Sequence, residues 1–269
     1  IDLAVHSCKD LPTENPQGLI IAAYSKRANP FDILIIRKDK TDETNILKLC
    51  DNAIVGTSSA RRKAQLLAFR NDIDLKDIRG NVPTRINKLR NHEFDAIVLA
   101  AAGVERLNIN LDEFYVLELK APMFVPAPAQ GVLAFQIRDN DAEMMGVCKL
   151  LNDTDSAVIT TIERDLLHEF EGGCQIPLGV FSKIENELVH TWISYAAAWN
   201  EVPKRTLFVS NAASHLMHNK EITQKLKNQQ AESVFITSDL HDDDYLVRVL
   251  KTHGYTVDYE SFIEFKQVD

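Results

Sequence analysis

At 269 residues, with 45% hydrophobic and 26% charged side chains, the chain has an ordinary globular composition and room for two or three modest domains. A net charge of −9 excludes a general nucleic-acid surface, so any anion site must be a local cluster of basic residues on an acidic body. No apolar run is long enough to span a bilayer, and Cys8, Cys50, Cys148 and Cys174 stand too far apart for a zinc ribbon or a disulfide framework, which points to a reducing, cytoplasmic compartment.

The chain opens on IDLAVHS, strand-like from its first residue, and closes on IEFKQVD. The expectation is a fragment cut inside a domain at both ends. GLIIAAYS, DILIIR, AIVGTSS and DAIVLAAA read as strands or strands running into helices, and ARRKAQLLAFR and PTRINKLRN as helices. This alternation predicts α/β sheets with helices on their faces. Pro122, Pro126 and Pro128 make APMFVPAPAQG an extended crossover between lobes. VLAFQIR is then a strand and DAEMMGVCKLL a helix. SAVITTIERDLLHEF is a helix with Asp155 as its expected N-cap. LGVFSKI, LVHTWISYAAAW and RTLFVSN read as a meander turning at Asn186, and KEITQKLKNQ as an amphipathic helix. From Ala231 the pattern is strand, helix ending at Gly254, strand: a partial βαβ unit.

Three segments carry candidate chemistry. HSCKD places Lys9, a point charge for a carboxylate, and Asp10, a carboxylate for a developing cation, after the first strand. In GTSSARRKAQL, Thr57 and Ser59 precede a helix N-terminus, a natural anion site. Arg61 and Arg62 lie in its first turn, where cations oppose the helix dipole by ~0.3–1 kcal/mol each. A bound carboxylate would offset that repulsion. RGNVPTRINKL repeats the theme with Arg79, Pro83 and Arg85, and Arg106 adds a further cation. Each segment alone could be a solvated loop or an ordinary cap; together they suggest a ligand with several carboxylates. Cys174, on the Gly-Gly turn of EGGCQIPLG, could project a thiol into a cleft, although free cysteines are usually small buried hydrophobes. The other three cysteines are expected to be inert. The histidines from His92 to His253 show no ligand spacing, so no metal site is expected. HDDD at His241–Asp244 reads as a helix start, and Trp192 and Trp199 as packing residues.

Taken in order, HSCKDLPTENPQGL, VGTSSARRKAQL, RGNVPTRINKL, PAPAQG and EGGCQIPLG closely resemble porphobilinogen deaminase, also called hydroxymethylbilane synthase, over roughly residues 1 to 230. The resemblance implies a transferase of porphyrin and haem biosynthesis. Such enzymes join four porphobilinogen molecules head to tail into hydroxymethylbilane with release of ammonia, primed on a dipyrromethane cofactor held by a cysteine thioether. It implies that Cys174 is that cysteine. Asp10 would be the catalytic carboxylate facing the pyrrole nitrogen of an azafulvene. Ser7, Lys9, Thr57, Ser59, Arg61 and Arg62 would bind cofactor, and Arg79, Arg85, Arg106 and Gln130 substrate.

The implied fold is α/β: two periplasmic-binding-protein-like lobes, the first incomplete, and a small α+β third domain carrying the cofactor cysteine. The expected bounds are 1–27 with 130–150, 28–129, and 151–230. Residues 231–269 resemble the opening βαβ of a uroporphyrinogen-III synthase, which implies a fused or partner synthase. The resemblance also implies that the first lobe lacks its N-terminal part, so that the parent would be active and this chain impaired or inactive. The implied partners are porphobilinogen and the growing oligopyrrole, with neither nucleic acid nor membrane. The competing readings are a two-lobed small-anion binding module without catalysis, and a scaffold for the following domain.

Overall fold

The computed structural model describes residues 1–170, 176–228, 233–236 and 256–259. Its elements in chain order are β1 (Ala4–Ser7), β2 (Leu19–Tyr24), β3 (Asp32–Arg37), β4 (Ile54–Gly56), α1 (Ala60–Phe69), β5 (Asp74–Lys76), α2 (Val82–Arg90), β6 (Ala96–Ala100), α3 (Ala101–Arg106), β7 (Phe114–Leu119), β8 (Leu133–Arg138), α4 (Ala142–Leu151), α5 (Thr154–Glu169), β9 (Leu178–Glu185), β10 (Leu188–Tyr195), β11 (Lys204–Ser210), α6 (Ala212–Asn228), β12 (Ser233–Ile236) and β13 (Thr256–Tyr259). The architecture is mixed α/β, with sheets ordered β1-β8-β2, β5-β4-β6-β3-β7, β11-β10-β9 and β12-β13.

The five-stranded sheet follows from DILIIR. Its near-continuous apolar run suits a strand covered on both faces. Along β3 the side chains alternate: Ile33 and Ile35 pack with Ile86 and Leu89 of α2, and Leu34 and Ile36 with Leu66 and Phe69 of α1. β3 is antiparallel to both β6 and β7, whereas β4 is parallel to β5 and β6. The first sheet is smaller. β8 lies between β1 and β2, antiparallel to each, and Cys148 of α4 joins Ala23 and Ile137 in a minor core.

The third sheet is the expected meander. Asn186 and Glu187 form its two-residue β9–β10 turn at φ 51° and 65°, the pairing that a primed hairpin requires. Ile162 and Leu166 of α5 and Ile222 and Leu226 of α6 pack on Val180, Val189 and Ile193. The N-cap of α5 is Asp153, whose Oδ1 accepts from the Ser156 amide at 2.8 Å; Asp155, the expected cap, lies in the first turn. In the tail β12 and β13 pair in parallel. The helix expected between them, with HDDD and the Gly254 cap, lies outside the described residues.

Two crossings, residues 25–31 and 120–132, connect the first sheet to the five-stranded one. They touch at Gly131, where φ is +92° and a Cβ would stand 2.7 Å from the Ala28 carbonyl. The third sheet docks on them: the Val180 amide donates to Pro126 O at 3.0 Å, and a Cβ on Gly179 would stand 2.5 Å from Val125 O.

Candidate active site

A cavity of about 200 Å³ opens where the three sheets meet, lined by Lys9, Asp10, Ser59, Arg61, Arg62 and Gln130 together with Leu167, Ile176 and Leu178. Lys9 and Asp10 belong to a single 3-10 turn, Cys8–Asp10, after β1. The Cys8 amide donates to Val132 O at 3.0 Å, tying the start of the turn to the crossing. Asp10 is exposed at the cavity and Cys8 is buried beneath it. Burial pushes the Cys8 thiol up to about 11, so it is not a thiolate at neutral pH.

The arginines at the start of α1 do not depend on a ligand alone to offset their charge. Asp32, the first residue of β3, lies fully buried between them. Its Oδ2 accepts from Arg61 Nη1 at 2.8 Å, and its Oδ1 from Arg62 Nη2 at 2.7 Å and Nε at 3.1 Å. Burial raises the Asp32 carboxyl, but the two guanidinium groups outweigh it and hold the carboxyl well below the usual range. Asp32 thus offsets one of the two positive charges from within the chain and leaves the other for a bound carboxylate. The two arginines also differ. Arg62 commits its remaining Nη1 to Val98 O at 3.0 Å, so all three of its nitrogens are engaged. Among the described residues, Arg61 bonds through Nη1 alone, to Asp32 and to Val125 O at 2.9 Å.

Gln130 joins the network from the crossing. Its Nε2 donates to Asp32 Oδ1 at 3.1 Å and to Pro30 O at 2.7 Å, while its Oε1 accepts from Lys9 Nζ at 3.4 Å. Burial, then the charge of Arg62, pulls the Lys9 ammonium down to about 8 against the opposing pull of Asp10 and Asp32.

The remaining candidates fall at different places. Ser59 caps α1, its Oγ accepting from the Arg62 amide at 3.4 Å. Thr57 is buried behind it and does not line the cavity. Ser7 ends β1 without a side-chain capping bond. Arg79 is exposed beside the start of α2. Arg85 donates from Nε to Gly80 O at 2.7 Å, and burial with the charge of Arg62 lowers its affinity for its proton. Arg106 reaches the crossing, donating to Gly131 O at 2.8 Å. Cys174 lies outside the described residues. Among the described residues no helix is long and apolar enough to cross a membrane.

Sequence reasoning missed Asp32, Arg27, Glu163 and Arg164. Arg27 and Glu163 form a buried pair beside the cavity: Arg27 Nη1 to Glu163 Oε1 at 2.7 Å and Nη2 to Oε2 at 3.2 Å, with Arg27 Nε on Gln130 O at 2.9 Å. The signal available was an acidic residue inside an apolar pattern, Asp32 opening DILIIR and Glu163 on the apolar face of α5. Such a charge is seldom buried unless paired.

The fold and cavity thus define an α/β protein with a cation-lined cleft at the junction of its sheets. Residues 1–146 match the family model described as porphobilinogen deaminase, dipyromethane cofactor binding domain, and residues 157–198 that of the porphobilinogen deaminase C-terminal domain. A porphobilinogen deaminase of Nitratiruptor sp. is 40% identical over 235 residues, which cover 87% of this chain and 73% of that protein. One of Brevibacillus brevis is 42% identical, with 71% of this chain and 60% of the relative covered. The chain belongs to the porphobilinogen deaminase family. That membership does not favour a non-catalytic anion binder. Neither model extends to the tail, and a uroporphyrinogen-III synthase domain is not shown. Solved structures give weaker likenesses. An arginine-specific periplasmic binding protein of Salmonella typhimurium is 11% identical, with a TM-score of 0.32 over 52% of this chain and 63% of its own. The periplasmic VFT2 domain of Bordetella pertussis BvgS is 16% identical, with a TM-score of 0.33 over 54% and 59%.

Proposed function

We propose that this chain performs the chemistry for which its relatives are named: the head-to-tail joining of porphobilinogen into hydroxymethylbilane, with release of ammonia. The observation that carries the reading is the single cavity shared by Asp10, Lys9, Arg61 and Gln130 with Leu167, Ile176 and Leu178. Cys174 precedes Ile176 by two residues, a reach of at most about 7 Å along the chain.

The donor set suits a dipyrromethane. Lys9 and Arg61 offer charge-assisted hydrogen bonds to its carboxylates, as does the N-terminus of α1 behind Ser59. Bound through Cys174, the group would supply the nucleophilic pyrrole carbon to which the first substrate is joined. Asp10 holds a negative charge where positive charge develops on a pyrrole nitrogen as ammonia leaves. Gln130 fixes Lys9, and Asp32 holds Arg61 and Arg62 at fixed positions, so the cleft is organised before substrate enters. In this reading Ser7 and Thr57 stay on the cofactor side, Thr57 from behind Ser59, whose amide donates to its Oγ1 at 3.3 Å, and Arg79, Arg85 and Arg106 are outer contacts for a lengthening polyanion.

We read the chain as domain 1 at residues 1–27 and 130–150, domain 2 at 28–129 and domain 3 at 151–230, each around one of the three larger sheets. The tail, with its parallel β12–β13 pair, is read as the start of a synthase-like unit. The work place is the cytoplasm.

Intact mass tests the reading. The purified chain should carry an excess equal to two linked pyrrole units, absent in Cys174→Ser. An unmodified chain, from cells with an intact porphobilinogen supply, would count against it.

A further inference from the structure

Arg164 stands next to Glu163 on α5 but points the other way, into the first domain. Its Nη1 donates to Cys8 O at 3.3 Å and Leu11 O at 3.4 Å, and its Nη2 to Pro12 O at 2.5 Å and Thr13 O at 3.5 Å. One guanidinium therefore gathers the carbonyls along residues 8–13. Cys8 O also takes the turn's own bond from Leu11 N at 3.2 Å, and the carbonyls of Leu11, Pro12 and Thr13 follow directly after the turn. The turn they follow is Cys8–Asp10, the carrier of Lys9 and Asp10. Its N-terminal side is fixed by the end of the β1–β8 pairing at Ser7↔Leu133 and by the Cys8 amide on Val132 O. Its C-terminal side is held by Leu11 N on Cys8 O and by Arg164. Arg164 does not line the cavity of Asp10; it faces a second one, with Tyr24, Asp165 and His168.

We propose that Arg164 is a positioning residue: by clamping the carbonyls of residues 8–13 from the third domain, it sets where the Asp10 carboxylate stands in the cleft. This rests on the reading of Asp10 as the catalytic carboxylate. A planar guanidinium can serve several carbonyls at once, which a lysine ammonium on a flexible stem does less well. The clamp links two domains that the deaminase reaction must coordinate, since the tether is assigned to the third and the carboxylate to the first. Loss of the clamp removes no cavity-lining side chain and loosens the turn that carries Lys9 and Asp10.

The test is a double-mutant cycle on the cofactor-loaded full chain with Arg164→Gln and Asp10→Glu, read as kcat and KM for porphobilinogen. Misplacement by about 1 Å can cost on the order of 10²-fold in rate, so Arg164→Gln should lower kcat by roughly 10- to 100-fold with little change in KM. Arg164→Lys should recover part of that. In the Asp10→Glu background the same substitution should cost only a few-fold, because residues that act as one unit are not additive. Amide exchange should quicken at residues 9–13 and stay slow along α5. If Arg164→Gln does not fold, Arg164→Lys carries the same cycle and exchange measurement. Wild-type kcat in Arg164→Gln, or losses that multiply in the double variant, would overturn the positioning role alone. Wild-type kcat in Asp10→Glu would overturn the catalytic reading of Asp10 and this inference with it.

Discussion

At the scale of single residues, the Asp32 carboxylate decides the character of the site. Arg61, Arg62 and Gln130 all donate to it, and it is fully buried. Removing one member of a buried charge set typically costs ~3–5 kcal/mol, because the partners keep their charge without compensation. Asp32→Asn is therefore expected to lose that order of stability in urea unfolding. Its folded pKa lies below the unfolded value of about 3.9, so the stabilisation is whole above that pH and drains away as pH falls through the folded value. The wild type should lose stability relative to Asp32→Asn in that acid window. Lys9 makes the opposite statement, its ammonium being drawn down to about 8. A carboxylate ligand needs the charged form and raises the pKa when bound. Substrate capture, followed as kcat/KM, should then fall on an alkaline limb at or above pH 8. Lys9→Arg, charged throughout, should remove that limb; an unchanged limb would assign the titration elsewhere. Lys9, Asp10 and Arg61 could be singled out from the sequence because they stand in a polar turn or at a helix start, whereas Gln130 entered only through the family resemblance. Asp32 and Glu163 were not singled out: Asp32 stands at the mouth of an apolar strand, and Glu163 opens the charged triplet Glu163-Arg164-Asp165, which reads as a solvated helix face.

Among elements, those with strong patterns were legible: β3 as an unbroken apolar run, α1 and α2 from helical spacing, and the β9–β10 hairpin from Asn186. β5 and β7 were not. DLK is three residues long with its first and last exposed, and it is a strand through its parallel pairing with β4. β7 takes its register from β3, a long-range pairing with no local signature. The docking of β9 on the crossing was equally illegible, because it depends on a missing atom. A Cβ on Gly179 would meet the Val125 carbonyl, and backbone cannot rotate aside as a side chain can. Gly179→Ala should cost ~1–3 kcal/mol as an overpacked contact. Limited proteolysis should show faster cutting in residues 120–132, whereas wild-type resistance would mean that the two backbones part without cost.

For the whole molecule, the question is what joins three sheets, each with its own core, into one cleft. The crossings alone would leave the third sheet free to swing. Glu163 answers this from α5: besides Arg27 it accepts the amides of Ala129 and Ser182, both at 2.6 Å. One carboxylate thus binds the first crossing, the second crossing and β9. Arg27 completes the junction with its backbone amide on Ser156 Oγ at 2.9 Å and its guanidinium 5.1 Å from the centre of the Phe181 ring. Such a junction concentrates stability in few atoms, so single changes should be costly and strongly coupled. Glu163→Gln strands the Arg27 charge, and Arg27→Met strands the Glu163 charge, each at ~3–5 kcal/mol. The double variant strands neither and should be less destabilised than the sum of the singles, by a coupling of about 1–3 kcal/mol. Calorimetry adds a second readout. With the junction broken, the third domain should melt ahead of the rest, turning one transition into two. Additive singles and a single unsplit transition would place the cohesion of the cleft in the apolar contacts between β9 and the crossings, not in this ion pair.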